Sequence, residues 1–555
     1  MKLKHLLFTC LLLCFSTFAI GQNEISYLSG SLEARGNFFQ RDSLVDTPNT
    51  PGYDYQLFGA ESWLTLQYNR WGFDIGARFD LFNNSNLPEP LKSYNAQGIG
   101  RWYVKKKLKK LGIYAGYIYD QIGSGIIFRS YEARTLTIDN ALYGLQLRYD
   151  FSEDWNARIF TGREKQQLDD PFESVVKGGA IEGFFQLGDS TVASFSPGFG
   201  VVNRTFDDNT MNAIVDNISN RSNAELRLFE PDYNTYAFTL YNTLSLGKLT
   251  WYAEGAYKTD DVLTRPDENL QAELYQSDGI VLYSSLGFAA RGLGITIEGK
   301  RTEDFEYRST PFFEPTLPNV GIINFLPPMT RINSYRLTAR YNAATQFLGE
   351  QAFQVDIRYS PKRKVSYNVN FSNITDLDNN LLYREVFTEF YLKKKKWKLT
   401  TGVQFQQYNQ EIYEVKPGVP LLEAVTPYAD FLYRIDKKKS IRFEAQYMNV
   451  GEDDNGELHD YGNWVFGLVE FGLAPHWTFT VSDMYNITPG KNTPRDEEGN
   501  QDAVHFPRLD VFYTNKANRY SLSYIKQVEG IVCTGGICRL EPAFSGVRLT
   551  VNSAF

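Results

Sequence analysis

The chain ends FSGVRLTVNSAF. In that stretch Val547, Leu549, Val551 and Phe555 fall on one face, with Ser553 the one polar break, while Arg548, Thr550 and Asn552 fall on the other. A period of two over this length is a strand, not a helix. Chain ends are ordinarily frayed and polar, so this one needs a partner along its edge and a cover on its apolar side. The same alternation recurs along the chain. WGFDIGARFDL sets Trp71, Phe73, Ile75, Ala77, Phe79 and Leu81 against Asp74, Arg78 and Asp80. QAFQVDIRY, VSYNVNFS and SIRFEAQY repeat the pattern from 351, 365 and 440.

So many paired strands with no helices between them leave no second layer to make a core. They suit one closed sheet with an apolar exterior and a polar interior. Composition agrees. Aromatic residues are 15% of the chain, with 36 Tyr and 40 Phe, yet mean hydropathy is −0.37. A soluble sandwich would put its charges on a solvent face and would not need so many aromatics at strand ends.

The first residues, MKLKHLLFTCLLLCFSTFAIG, read as a secretory signal over 1–21: a basic start at Lys2 and Lys4, an apolar run, and Ala19-Ile20-Gly21 before the cut. The run is too short for a retained membrane helix. Cys10 and Cys14 lie inside it. The expected mature chain, 22–555, is a single barrel domain. Removing Lys2 and Lys4 from 57 basic residues leaves 55 against 65 acidic ones, a mature charge of −10. No nucleic-acid partner is expected.

Connections fall into two classes. NRWG at 69–72, SEDW at 152–155, GDST at 188–191, LAPH at 473–476 and NKAN at 515–518 are short, whereas 203–233, 302–331, 411–425 and 485–507 are long and irregular. Short periplasmic turns and long extracellular loops characterise outer-membrane barrels. KKKLKK at 105–110, PKRK at 361–364, KKKK at 393–396 and DKKK at 436–439 make the shorter connections basic, and GEDDNGELHD at 451–460 and PRDEEGNQD at 494–502 make long loops acidic. The acidic spacing matches no calcium loop, so no metal site and no cofactor are expected.

The fold expected is therefore an all-β, transmembrane antiparallel β-barrel of about 24–26 strands. Parity is the check, because a chain that starts and ends in the periplasm needs an even number. GITIEGKR (294–301) and SYRLTARY (334–341) both read as outward strands. The Pro-rich 302–331 must then be a poor returning strand, or it descends inside the lumen. The returning strand is the favoured of the two. The first strand, YLSGSLEARGNFF (27–39), begins almost at the mature N-terminus. The expectation is that no N-terminal plug precedes it and that inward loops narrow the lumen.

One stretch suits that role. YDQIGSGIIFRSYEARTLTIDNALYG (119–144) is Gly-rich at its start and brings Arg129, Glu132 and Arg134 close together in sequence. Either it packs over the barrel mouth with its charges paired, or it is a constriction loop whose charges set a field across the pore. Asp74, Asp80 and Asp120 are its candidate partners. Cys533 and Cys538, in EGIVCTGGICRLEP, flank a Gly535-Gly536 turn and are expected to form a disulfide. Only four histidines exist. His459 and His505 sit in acidic loops and His476 in a short turn, and no His is paired with a nucleophile on a wall strand, so no catalytic residue is expected.

GSGIIFRSYEAR with IDNALYG, FLPPMTRINSY, GEQAFQVDIRY and the terminal EGIVCTGGICRLEPAFSGVRLTVNSAF resemble a family of outer-membrane barrels known only as a domain of unknown function. The likeness runs over essentially the whole mature chain. It implies a porin-like barrel in the outer membrane of a Gram-negative cell and brings no assigned substrate or catalytic residue. Phe555 is similar to the terminal aromatic read by the outer-membrane barrel assembly machinery. The partners implied are outer-membrane lipid, that machinery and a small-molecule solute. The function expected is a porin-like channel. The alternative is a non-conducting barrel subunit, a scaffold in a larger secretion or assembly complex.

Overall fold

A computed structural model describes residues 28–42, 56–88, 93–168, 170–188, 192–220, 229–266, 272–313, 319–416, 418–452, 456–493, 499, 501, 503–527, 530–534 and 537–555. The expected signal over 1–21 lies outside these residues. The wall is a closed antiparallel barrel of 24 strands. Each strand pairs with its sequence neighbours, and the ring closes where Leu28–Phe39 meets Phe544–Ala554, in register from Ser31↔Ala554 to Phe39↔Gly546. Gly30 and Phe555 extend that seam by exchanging two backbone hydrogen bonds, at 2.8 and 3.0 Å. The Phe555 ring lies over Gly30, 2.7 Å from where a Cβ would stand. The apolar terminal strand is thus paired on both edges, which is what its pattern demanded.

Alternation along each strand divides outside from inside. Ile159 is 60% exposed and Phe160 4%, Leu240 67% and Tyr241 8%, Leu282 54% and Val281 0%. The apolar residues of one parity form the outer face, and residues of the other parity are buried inside the ring. Short turns, several of only two residues, close one end. Trp71 and Gly72 both take positive φ, 54° and 72°, as a type I′ hairpin turn demands. The basic turns all lie at this short-turn end. The long connections lie at the other. The helix Asp208–Ser219 belongs to that end: Asp207 caps it by accepting from the backbone N of Asn209 and Thr210, and Met211, Ile214 and Ile218 form its buried stripe.

The structure corrects the reading of 302–341. The strand Leu293–Glu303 pairs directly with Gly349–Lys362, from Leu293↔Tyr359 to Glu303↔Gly349. Neither 302–331 nor SYRLTARY is a wall strand, and removing both leaves the even number that parity required. SYRLTARY is coiled into turns, with Ala339 N donating to Tyr335 O and Arg340 N to Leu337 O. Its period-two pattern arises because Leu337 and Tyr341 are anchored one turn apart, not because the backbone is extended. Residues 304–313 and 319–348 instead run inside the ring. The buried core of this protein is therefore in the lumen: one apolar cluster joins Ile118–Phe128 and Phe305–Leu326 to the inner wall, and a second joins Met329–Ala343 to it.

Candidate functional site

The lumen is filled from two connections that fold in from the long-loop end: 119–141, and a second whose described residues are 304–313 and 319–348. The first enters through a Gly-rich turn. Gly123 has φ +56° and Gly125 φ +104°, conformations that favour Gly. A Cβ on Gly123 would stand 2.6 Å from Glu254 Oε1, so the turn approaches the wall without a side chain. There Glu254 accepts from the Ser124 backbone N at 2.9 Å, from Thr239 Oγ1 at 2.8 Å and from Tyr252 OH at 2.5 Å. Behind the turn Ile122, Ile126 and Ile127 are fully buried, and Phe128 stacks on Phe160 with centroids 4.6 Å apart.

The two segments hold each other. Arg129 N donates to Ile323 O and Phe325 N to Gly125 O, both at 2.9 Å, and Asn140 Nδ2 donates to Ile322 O at 3.0 Å. The second segment then crosses to the far wall. Gln446 Oε1 accepts from Leu337 N at 2.7 Å, and Gln404 and Gln406 donate to the carbonyls of Thr338 and Tyr341 at 3.0 Å. Wall glutamines thus satisfy the backbone of an irregular segment that would otherwise be buried unpaired.

Of the three charged residues singled out in 119–144, Glu132 and Arg134 share one network and Arg129 stands apart from it. Arg129 lies over the Phe325 ring at 4.0 Å and the Tyr131 ring at 4.3 Å. Glu132 accepts from Arg78 at 2.6 Å and from Arg134 at 2.7 Å. Arg134 also pairs with Glu33 at 2.7 Å. Arg78 bridges further to Asp80, through two bonds at 2.7 and 2.8 Å, and to Asp139 at 3.1 Å, which Lys165 reaches at 2.6 Å. Burial alone would raise the Asp139 carboxyl, but Lys165 and Arg78 outweigh it and hold it below the ordinary carboxylate value. Asp74, Asp80 and Asp120 are not the partners of Arg129 or Arg134. Asp80 serves Arg78, Asp120 pairs with Arg158 at 3.1 Å, and Asp74 accepts from Tyr103 OH at 3.2 Å. A cleft of about 110 Å³ lies over this network, lined by Trp63, Arg78, Glu132, Arg134, Asp139 and Lys165.

The second segment carries residues that sequence reasoning missed. Asp460 accepts from Tyr341 OH at 2.8 Å and from Asn492 Nδ2 at 3.1 Å, and pairs with Lys416 at 3.3 Å and Arg340 at 3.7 Å. Here too burial would raise the carboxyl, and Arg340 and Lys416 hold it below the ordinary value. This knot ties the second segment to three long loops. No local signal in the sequence marks it, because its members come from four separate connections.

His476 and His505 take no part in the lumenal networks, and His459 directly precedes Asp460. His505 Nδ1 and Asp483 Oδ2 meet at 2.5 Å, with the His505 ring stacked on Tyr485 at 4.0 Å. No Ser or Thr hydroxyl bonds to either among the described residues. His476 Nδ1 meets Thr514 O at 2.8 Å, and His459 is buried. Among the described residues no group of three or more His, Cys, Asp or Glu side chains could hold a metal. The backbone of the hairpin Gly530–Thr534 and Ile537–Glu541 sets Cys533 opposite Cys538.

A family model described as a family of unknown function, DUF6029, matches residues 1–555. No curated protein matches the sequence. Solved structures share the general form at low identity. The E. coli P pilus tip assembly intermediate PapC-PapD-PapK-PapG contains a chain 11% identical, with TM-score 0.45, over 97% of this chain and 62% of that one. The P pilus usher (PapC) translocation pore is 10% identical, with TM-score 0.43, over 95% of this chain and 99% of that one. The outer membrane transporter YddB from Escherichia coli is 8% identical, with TM-score 0.39, over 96% and 81%. The chain belongs to the DUF6029 family.

Proposed function

We propose that this DUF6029 chain is a channel for small solutes in the outer membrane of a Gram-negative cell, with a lumen narrowed by its own residues 119–141, 304–313 and 319–348. What supports the membrane placement is the outer face, where exposed apolar residues recur at alternate positions around the ring and would be costly in water. The observation that carries the narrowing is the bond pattern between the two segments and across to the far wall. Two loops that bond to each other and to opposite walls close a wide barrel without a separate plug domain. In this reading Arg129 joins the two segments by stacking on Phe325. Glu132 and Arg134 anchor the first segment to Arg78 and Glu33 on the wall.

A second reading has an observation in its favour. The cluster of Ile122, Ile126, Ile127, Phe128, Phe305 and Tyr307 is almost wholly buried, as a seal would be. It suits a non-conducting barrel subunit or scaffold whose long loops meet partners. Single-channel conductance of the purified protein in planar bilayers separates the two. The channel reading expects discrete openings that widen when 127–138 is deleted. Inserted protein that stays silent in both forms sinks the channel and leaves the scaffold.

A further inference from the structure

Three of the basic turns are neighbours in space. Strand pairing runs without a break from Gly349–Lys362 through Val365–Thr375, Leu381–Lys393, Trp397–Tyr408 and Leu422–Arg434 to Lys439–Val450. Their turns, PKRK at 361–364, KKKK at 393–396 and DKKK at 436–439, therefore stand side by side on the short-turn rim. Ten of these twelve residues are basic and all twelve are exposed. None of the ten makes an ion pair among the described residues. Asp436, the one acid, turns its carboxylate to the backbone N of Lys438 and Lys439, at 2.7 and 2.8 Å.

The contrast with the fourth basic run is informative. In KKKLKK at 105–110, Lys107 pairs with Asp150 at 3.0 Å, Lys110 donates to Phe151 O at 2.9 Å, and Lys106 donates to Trp71 O and lies 4.0 Å over the Phe73 ring. Those lysines serve the barrel's own rim. The arc over 361–439 serves nothing in the chain. Concentrating so much unpaired like charge costs self-repulsion unless a counter-charge meets it.

The depth of the arc selects the counter-charge. Aromatic residues lie just inside it on the same strands: the exposed Tyr359 and Tyr367 stack at 6.5 Å, Tyr367 meets the half-buried Phe390 at 5.2 Å, and the half-buried Trp397 and Phe431 meet at 5.9 Å. An aromatic band marks the membrane–water interface, so cations a few residues beyond it stand at headgroup depth. Nine of the ten are lysines, flexible point charges that suit a mobile layer of phosphates better than a fixed bidentate partner.

We propose that this arc binds anionic phospholipid headgroups, and so enriches acidic lipid beside one sector of the barrel. The inference rests on the reading of the chain as membrane-spanning. The full chain is reconstituted in phosphatidylcholine vesicles containing phosphatidylglycerol, and insertion is checked by flotation. Spin-labelled phosphatidylglycerol and phosphatidylcholine are then compared for their immobilised fraction at the protein. The expected result is a several-fold preference for phosphatidylglycerol, weakened by salt. Changing Lys364, Lys394, Lys395, Lys396, Lys437 and Lys438 to Gln should bring the preference close to one, with insertion unchanged. Changing Lys107 and Lys110 to Gln should leave the preference intact. Inserted wild-type protein with no preference, or a Gln variant that keeps it, overturns the proposal. If the wild type ignores phosphatidylglycerol but captures polyglutamate through these lysines, the arc is a docking surface for an acidic protein and the lipid proposal is wrong. Failure to float with the vesicles would remove the membrane reading and this inference together.

Discussion

Phe128→Ala should unlock the first infolded segment while leaving the wall intact. Phe128 is buried, stacks on Phe160 and packs among Ile122, Ile126 and Ile127. Truncating a buried Phe to Ala costs about 3–5 kcal/mol, part lost transfer energy and part cavity. The strand Trp155–Gln167 keeps its ladders to both neighbours, so the cost falls on the closed state of the segment and not on the barrel. At about 1.4 kcal/mol per tenfold, the open population should rise by about two to three and a half decades. Four backbone bonds report it directly: Ile122 N to Phe128 O, Gly125 N to Ile122 O, Arg129 N to Ile323 O, and Ser130 N to Asp120 O. Hydrogen exchange followed by mass spectrometry should show peptides over 120–130 exchanging about a hundredfold faster or more, with peptides over 365–375 unchanged. Unchanged protection at 120–130 would refute the packing account. An equal rise in the wall would refute the independence of segment and barrel.

Other outcomes follow from the same geometry. Deleting Phe555 removes two backbone bonds to Gly30 and uncovers that glycine; outer-membrane levels should fall while export continues, and normal levels would count against an assembly role. Cys533 and Cys538 should resist thiol labelling until reduced, and their short loop should add about 2 kcal/mol or less; labelling of unreduced, denatured protein would exclude the bond. Asp139 and Asp460 both sit below their ordinary value of about 3.9. Their folded values are the lower ones, so their stabilisation is complete above about pH 4 and is lost as pH falls through those depressed values. The thermal midpoint should drop in that acid window, and Asp460→Asn should lower it at pH 7 and flatten the drop. An Asn variant indistinguishable from wild type at both pH values would remove the knot from the account.

What was legible in the sequence follows from what is local. A wall strand shows itself within ten residues, because Phe73, Ile75, Phe79 and Leu81 must all meet the same apolar surroundings. Tight turns such as Trp71-Gly72 are equally local. The infolded segments are not. SYRLTARY has the period of a strand, yet Leu337 and Tyr341 are set by wall residues over a hundred and about sixty positions away, Gln446 and Gln406. Arg129, Glu132 and Arg134 were visible as charges, but their partners were not. Arg78 lies 54 residues before Glu132, and Glu33 lies 101 before Arg134. The acids near in the pattern, Asp74, Asp80 and Asp120, had nearer claims on them. The basic arc was visible as three runs, and only strand order makes those runs adjacent.

The central claim is that 119–141 lies inside the ring and against its inner wall, and one engineered cross-link tests it most directly. The γ-methyl of Ile122 lies 2.4 Å from where a Cβ on Gly200 would stand, on the inner face of the strand Ala193–Thr205. With Cys533 and Cys538 changed to Ser, Ile122→Cys and Gly200→Cys together should place two sulfurs within bonding range. Mild oxidation of the folded protein in native membranes should then join them, seen as a reducible shift in gel mobility, while either single variant stays unchanged. Two thiols that label freely and never join, in a barrel that still shows strand-dominated circular dichroism and heat-modifiable migration, would contradict the account.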